Sequence, residues 1–251
     1  MNERLLPLPY LPENNVSHIL CGQTSFPLGE ILKRYSISLT KIDKNSKILN
    51  VVSTHVDCAV CPVSSNTFFV ENGQADLQKF LKKNGIEVLE LKEKILSGYP
   101  KEAGMNAVVL GNYFICNPKT CDKNILEYTK QAGYTFISSK QGYTKCSLLP
   151  VCSQAIITDD SSIAKNAAQF LDVLWIEKGD IQLSGFPYGF IGGTGTLISK
   201  DCMLFLGDLS FHRDKAKIKS FLRNYNIYPE YAFHKPLQDI GGMIPILEWR
   251  Y

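Results

Sequence analysis

The chain has 251 residues, 45% of them apolar and 20% charged, with 27 basic against 24 acidic side chains and a formal charge of +3. That composition excludes a disordered or collagen-like chain, and no apolar run reaches the ~18 residues of a membrane span. The weak, unclustered positive charge gives no nucleic-acid-binding stripe.

The N-terminus, MNERLLPLPYLPENN, carries Pro7, Pro9 and Pro12, which forbid the short apolar helix of a signal peptide. Residues 1–17 are predicted to form an extended arm on the surface, followed by a single domain over 18–251. The expected location is cytoplasmic. The eight cysteines, at positions 21, 58, 61, 116, 121, 146, 152 and 202, are expected as free thiols in a chain long enough to build its own core. Cys58 and Cys61 form one CxxC pair with no second pair, and on a strand they point to opposite faces, so no metal is assigned.

Along the chain one pattern recurs. A strand at Ile19–Cys21 precedes a helix over 27–35, a strand over 37–42 and a third strand over 57–63. The next set is Phe68–Val70, a helix over 75–84, and strands over 86–91 and 105–110. It is followed by Phe114–Cys116 with 123–132, 134–139 and 147–151, then Ile156–Thr158 with 161–171, 173–177 and 194–198. The last set is Leu204–Leu206 with 213–224, 227–233 and 242–247. The first strands start 49, 46, 42 and 48 positions apart, within the range of repeat architectures. Leu77, Phe80 and Leu81 show the helical i, i+3, i+4 spacing of one buried face. Asp122, Asp160 or Ser161, and Ser210 stand as helix caps, and Gly85 and Gly133 as stops. The loops before the third strands often open with glycine and an aromatic: Gly98-Tyr99, Gly142-Tyr143, Gly185-Phe186. Five β–α–β–β units without linkers are predicted to close into a ring, which leaves no sheet edge that must stay open, with helices outside and these loops converging on the axis. An ordinary α/β sandwich is the alternative.

The order of elements over residues 18–248 resembles the pentein superfamily of guanidine-modifying enzymes, a five-fold pseudo-symmetric β/α propeller. That fold also includes a non-catalytic ribosome anti-association factor. Thr54-His55-Val56-Asp57 is similar to the His-x-Asp motif of arginine and agmatine deiminases. The resemblance implies a general acid/base role for His55 and a guanidinium-gripping role for Asp57. The family's nucleophilic cysteine follows a Gly-Gly motif near the C-terminus; here Gly241-Gly242-Met243-Ile244-Pro245 has proline in its place. The family's His-x-Asp also lies late in the chain, whereas here it lies in the first unit. Read as a permuted ring, the corresponding segment is Ala103-Gly104-Met105-Asn106-Ala107, also without cysteine.

From the residues themselves, His55 and Asp57 lie two apart and face the same way on a strand, either as a proton-exchanging, cation-binding pair or as a solvated surface pair. Cys146 occupies the matching place in the third unit beside Lys145, either as a nucleophile or as a small buried hydrophobe. Asn106 and Asp239 supply polar contacts to a central pocket or simply serve their turns. Gly192-Gly193-Thr194-Gly195 precedes a strand rather than a helix, so it reads as close backbone packing near the axis and not as a phosphate loop. His212, with Asp208 nearby, reads as a helix-start residue or a site residue, and His18 and His234 have no assigned partner. Lys82, Lys83 and the lysines at 215, 217 and 219 read as solvated helix faces.

The expected function is a hydrolase or deiminase acting on a small guanidino or amidino compound. His55 and Cys146 would be catalytic, and Asp57, Asn106, Lys145 and Asp239 substrate-binding. The expected ligand is a small polar or cationic molecule, with no cofactor, no nucleic acid and no membrane. The alternatives are a non-catalytic ring that serves as a binding platform and a degenerate ring without a ligand.

Overall fold

The computed structural model describes residues 2–250. Its elements in chain order are β1 (Asn2–Leu5), β2 (Val16–Cys21), α1 (Leu28–Lys33), β3 (Ser38–Lys41), β4 (Val60–Pro62), β5 (Thr67–Val70), α2 (Ala75–Lys83) and β6 (Glu87–Leu89). Then come β7 (Val108–Leu110), β8 (Tyr113–Cys116), α3 (Lys123–Gln131), β9 (Thr135–Ser138), β10 (Leu148–Cys152), β11 (Ala155–Thr158), α4 (Ser161–Ala167) and β12 (Asp172–Trp175). The last are β13 (Gly195–Ser199), β14 (Cys202–Phe205), α5 (Lys215–Asn224), β15 (Tyr228–Tyr231) and β16 (Met243–Arg250).

The strands form five small sheets of one design, β16-β2-β3, β4-β5-β6, β7-β8-β9, β10-β11-β12 and β13-β14-β15, with β1 added beside β16. In each, the first pair is antiparallel and the second, bridged by a helix, parallel. The parallel pair needs a crossover long enough to hold a helix, which the amphipathic segments supply. The third strand of each sequence unit pairs with the first strand of the next unit, not with its own. The short turns between them, such as Gly111-Asn112, suit an antiparallel hairpin. By the same rule β16 pairs with β2, so both ends of the chain share one sheet.

Burial falls across each sheet. The strands β4, β7 and β13 are buried throughout, while β6, β12 and β15 hold only exposed and half-buried residues. β4 and β7 are wholly apolar because both their faces are covered. The inner strands also pack on one another, β4 on β7, β10 on β13 and β13 on β16. The helices lie outside them, with Leu77 and Leu81 of α2 turned inward.

Two caps occur as expected. The Asp122 side chain accepts from Asn124 N, and that of Asp160 from Ser162 N and Ile163 N. Ser210 is not the cap of α5; Asp208 caps the one-turn helix that contains Ser210, and Asp214 precedes α5. The N-terminal arm is also not a surface strap. β1 pairs with β16, Leu6, Tyr10 and Leu11 are buried, and β2 starts at Val16, inside the expected arm. The buried Glu248 carboxylate holds the arm by accepting from Arg4 Nε (2.8 Å), Glu13 N (2.7 Å) and Asn14 N (3.0 Å). The arm's apolar residues alternate with prolines and carry no periodicity, so nothing in their pattern marks them as core.

Candidate functional site

The segments entering the buried strands are tight turns rather than strand extensions. One-turn helices occupy Val56–Cys58, Lys101–Ala103 and Ile191–Gly193. His55 therefore immediately precedes a helical turn and Asp57 lies within it, which corrects the expectation of a shared strand face. The turn nevertheless brings them together. One ligand atom each of His55, Asp57 and Cys146 falls within a 4.8 Å cluster.

The five turns are joined by hydrogen bonds that return to their starting point. Asp57 N donates to Gly241 O (3.3 Å), and Gly242 N to Gly193 O (3.2 Å). Lys145 Nζ donates to Gly192 O (2.9 Å), Cys146 N to Asn106 Oδ1 (3.0 Å), and Asn106 Nδ2 to Asp57 O (3.3 Å). Glycine is required where the turns touch. A Cβ at Gly192 would stand 2.2 Å from Lys145 O, and one at Gly193 would stand 1.7 Å from Asp239 Oδ1. The Gly192–Gly195 run is thus close packing, as its position before a strand implied.

Cys146 lies at the centre. Its Sγ donates to Asp57 Oδ2 at 2.8 Å and receives Asn106 Nδ2 at 3.3 Å. Burial pushes the thiol well above its usual range, and Asp57 and Asp239 push the same way. Burial also raises the Asp57 carboxyl, against the pull of His55 and Lys145. It lowers the Lys145 ammonium, which Asp57, Cys146 and Asp239 partly restore. On the side of the arm, Lys145 Nζ lies 5.5 Å from the Tyr10 ring centroid. Two atoms of the cluster, His55 Nδ1 and Asp57 Oδ1, are buried without a hydrogen-bond partner. Such groups are costly unless a ligand or water completes them.

Above this floor opens a cavity of about 370 Å³. Three of the six expected site residues, His55, Cys146 and Asp239, line it. Asp57, Asn106 and Lys145 do not; they lie beneath it, touching or flanking Cys146. Asp239 is fixed by Gly241 N on Oδ1 and Phe190 N on Oδ2, both at 2.9 Å. The walls are Leu49, Val52, Leu183, Pro187 and the aromatics Tyr99, Tyr143, Phe186, Tyr188 and Phe190. Three of these aromatics follow the loop-opening glycines noted above, a signal present in the sequence but not tied there to a cavity.

Glu102 was missed. It is fully buried and accepts from the Tyr143 hydroxyl, from Gly98 N (3.1 Å) and from Leu49 N (3.5 Å). Burial, then Glu102, raise the Tyr143 phenol, so it stays protonated. Nothing in the sequence separates Glu102 from the surface acids, because two of its partners, the Tyr143 hydroxyl and Leu49 N, come from distant loops. The remaining histidines lie elsewhere. His18 bonds Thr40 Oγ1 (2.8 Å), His234 pairs with Asp208 (2.6 Å), and His212 Nδ1 accepts from Asp214 N (3.0 Å).

A family model matches residues 20–244. The chain belongs to the family of unknown function DUF6873. No curated protein is similar to this DUF6873 member in sequence. Among solved structures it is similar to the inosamine-phosphate amidinotransferase of Streptomyces griseus, with a TM-score of 0.61 at 11% identity over 97% of each chain. An amidinotransferase of saxitoxin biosynthesis from Microseira wollei gives 0.57 at 9% identity, over 96% of this chain and 97% of that one. DDAH from Pseudomonas aeruginosa, a cysteine-to-serine mutant complexed with citrulline, gives 0.55 at 10%, over 91% and 96%. The DUF6873 chain therefore has the fold of the pentein superfamily, as the order of its elements implied. No helix among its described residues is long and apolar enough to cross a membrane.

Proposed function

We propose that the protein is a five-bladed ring of pseudo-fivefold symmetry whose axial cavity takes a small amidino or guanidino compound and hydrolyses it. One observation carries this reading: a thiol, a carboxylate and an imidazole, Cys146, Asp57 and His55, converge on the floor of an aromatic-walled cavity. Support for the ring comes from the circuit of hydrogen bonds among the five turns and from the pairing of β16 with β2. The fold shared with two amidinotransferases and with DDAH supports the ligand class.

In this reading Asp239 holds the cation, since a carboxylate matches the planar fork of a guanidinium, while the buried Glu102, bonded to the Tyr143 hydroxyl, adds negative charge to the lining. Cys146 Sγ adds to the amidino carbon as its proton passes to Asp57 Oδ2, already 2.8 Å away. Asn106 Nδ2 steadies the sulfur. The C–N bond to the leaving amine then breaks, and His55 gives that nitrogen a proton. Water next adds to the S-bound carbon and gives a proton to His55, and the C–S bond then breaks as Asp57 returns its proton to the sulfur, releasing the urea-type or amide product. The net change is one water consumed and one amine or ammonia released. Lys145 shapes the floor through Gly192 rather than touching the ligand. The cation matters for the first step: its positive charge offsets the carboxylates that hold the thiol protonated. Eight free thiols support a reducing, cytoplasmic setting.

A non-catalytic binding ring is the second reading, favoured by the proton that Cys146 shares with Asp57 and by the burial that raises the thiol. One experiment separates them. Guanidino and amidino compounds are tested for binding by thermal shift and for ammonia or amine release, with the wild type and Cys146→Ala. Turnover lost in Cys146→Ala with binding kept supports hydrolysis. Binding without turnover selects the platform, and no binding by any member of the class defeats both.

A further inference from the structure

We infer that the ligand is a cation with an apolar, ring-sized body and no carboxylate, in contrast to an amino acid such as arginine. This rests on the cation-binding reading above and narrows it. The first support is the sign of the lining charge. Glu102 and Asp239 line the cavity, and no arginine or lysine does. A ligand carboxylate is recognised by a guanidinium fork or an ammonium, and one entering here would meet two acids. Two buried or half-buried lysines near the site, Lys145 and Lys178, already have partners. Lys145 is buried beneath the floor with its Nζ on Gly192 O. Lys178 stacks outside the wall, 6.0 Å from the Tyr188 and 5.8 Å from the Phe190 ring centroid, with its Nζ 3.9 Å from Asp160.

The second support is the wall itself. Tyr99 and Phe186 remain 56% and 45% exposed at a cavity already lined by apolar groups. Two large aromatics left in water at the edge of an apolar cavity fit a ligand that covers them, and aromatic faces also attract a cation. The third is a side lobe of about 380 Å³ that shares His55, Leu183 and Asp239 with the main cavity. Its further lining includes Gln23, Thr24, Asn50 and Gln238, which are polar and uncharged. It suits a hydroxyl or amide extension, not an ionised one. The cationic head thus sits at His55 and Asp239, the apolar body between the aromatics, and any extension in the polar lobe.

Calorimetry with four probes tests this: benzamidine, methylguanidine, arginine and the uncharged isostere benzamide. Benzamidine is expected to bind at least tenfold more tightly than arginine and benzamide. Phe186→Ala and Tyr99→Ala, at exposed positions where folding is not at stake, are expected to weaken benzamidine about tenfold while changing methylguanidine less than twofold. Arginine binding as tightly as benzamidine overturns this inference and leaves the cation-binding reading standing. Benzamide matching benzamidine, or aromatic variants without effect on benzamidine, also overturns it. Absence of binding by benzamidine, methylguanidine and arginine together defeats the underlying reading.

Discussion

Replacing Gly193 by alanine tests the packing of the axial turns. A Cβ at Gly193 would lie 1.7 Å from Asp239 Oδ1 and 2.4 Å from its Cγ. Ordinary contact requires roughly twice that distance, so the carboxylate must swing away. It cannot do so freely, because Oδ1 accepts from the buried Gly241 N and Oδ2 from the part-buried Phe190 N. Moving it leaves one buried and one half-buried amide without an acceptor. At about 1–3 kcal/mol for a buried orphan and less for the other, the loss is about 3 kcal/mol. For a chain of this size that lowers the melting temperature by about 6–12 °C. Gly29→Ala is the matched control. Gly29 lies in α1 with nothing within 4 Å of its would-be Cβ, and alanine in a helix gains up to about 1 kcal/mol over glycine. Thermal and urea unfolding of both variants gives the comparison. Asp239→Ala added to Gly193→Ala removes the clash, so the double variant is expected to lose less than the sum of the singles. A Gly193→Ala protein as stable as Gly29→Ala would refute the packing described.

Three further outcomes are expected. Burial raises the Asp159 carboxyl to about 7, against the bond it receives from Ile191 N. A carboxyl raised on folding is destabilising once ionised, so stability is full below the unfolded value near 4 and falls as pH rises through about 7. The full effect is on the order of 4 kcal/mol, and urea titrations should show Asp159→Asn flattening that decline. Glu248→Ala removes the acceptor for Arg4, Glu13 N and Asn14 N and is expected to free the arm. Limited proteolysis should then cut before residue 16 at a rate at least tenfold above wild type, with the rest of the chain resistant. Asp57→Asn removes a charge that raises the Cys146 thiol, so alkylation of Cys146 at pH 8 should become faster and its pH profile move to lower pH.

The elements were legible because each has a strong local cause. The helices over 75–84 and 123–132 differ by one residue from α2 and α3, since apolar spacing and the glycines at 85 and 133 mark their faces and ends. The first strands of the units were equally plain, being short apolar runs between turns. The third strands were read too long at their starts, as 57–63 against Val60–Pro62 shows. Buried helical turns and buried strands share the same apolar composition, and periodicity does not separate them over three residues. Which strand each third strand pairs with is a non-local fact that follows from hairpin turns rather than from composition. His55, Cys146 and Asp239 share a position before a strand, and all three line the cavity. The same repeat placed Asp57, Asn106 and Lys145 only to the right turn, not to the lower side of the floor. Depth depends on which face of a one-turn helix meets its neighbour. Glu102 and the buried Tyr10 carried no local mark at all.

The most direct test of the axial cation site is a comparison of two alkylating agents, one bearing an amidinium and one neutral, with the modified cysteines located by peptide mass spectrometry. Burial leaves Cys152 and Cys202 as the partly exposed thiols, so the neutral reagent is expected to mark those two first. The amidinium reagent is expected to mark Cys146 first, with benzamidine protecting it. If both reagents instead follow exposure alone and leave Cys146 unmodified, the thiol does not face a cation-binding cavity and the account is contradicted.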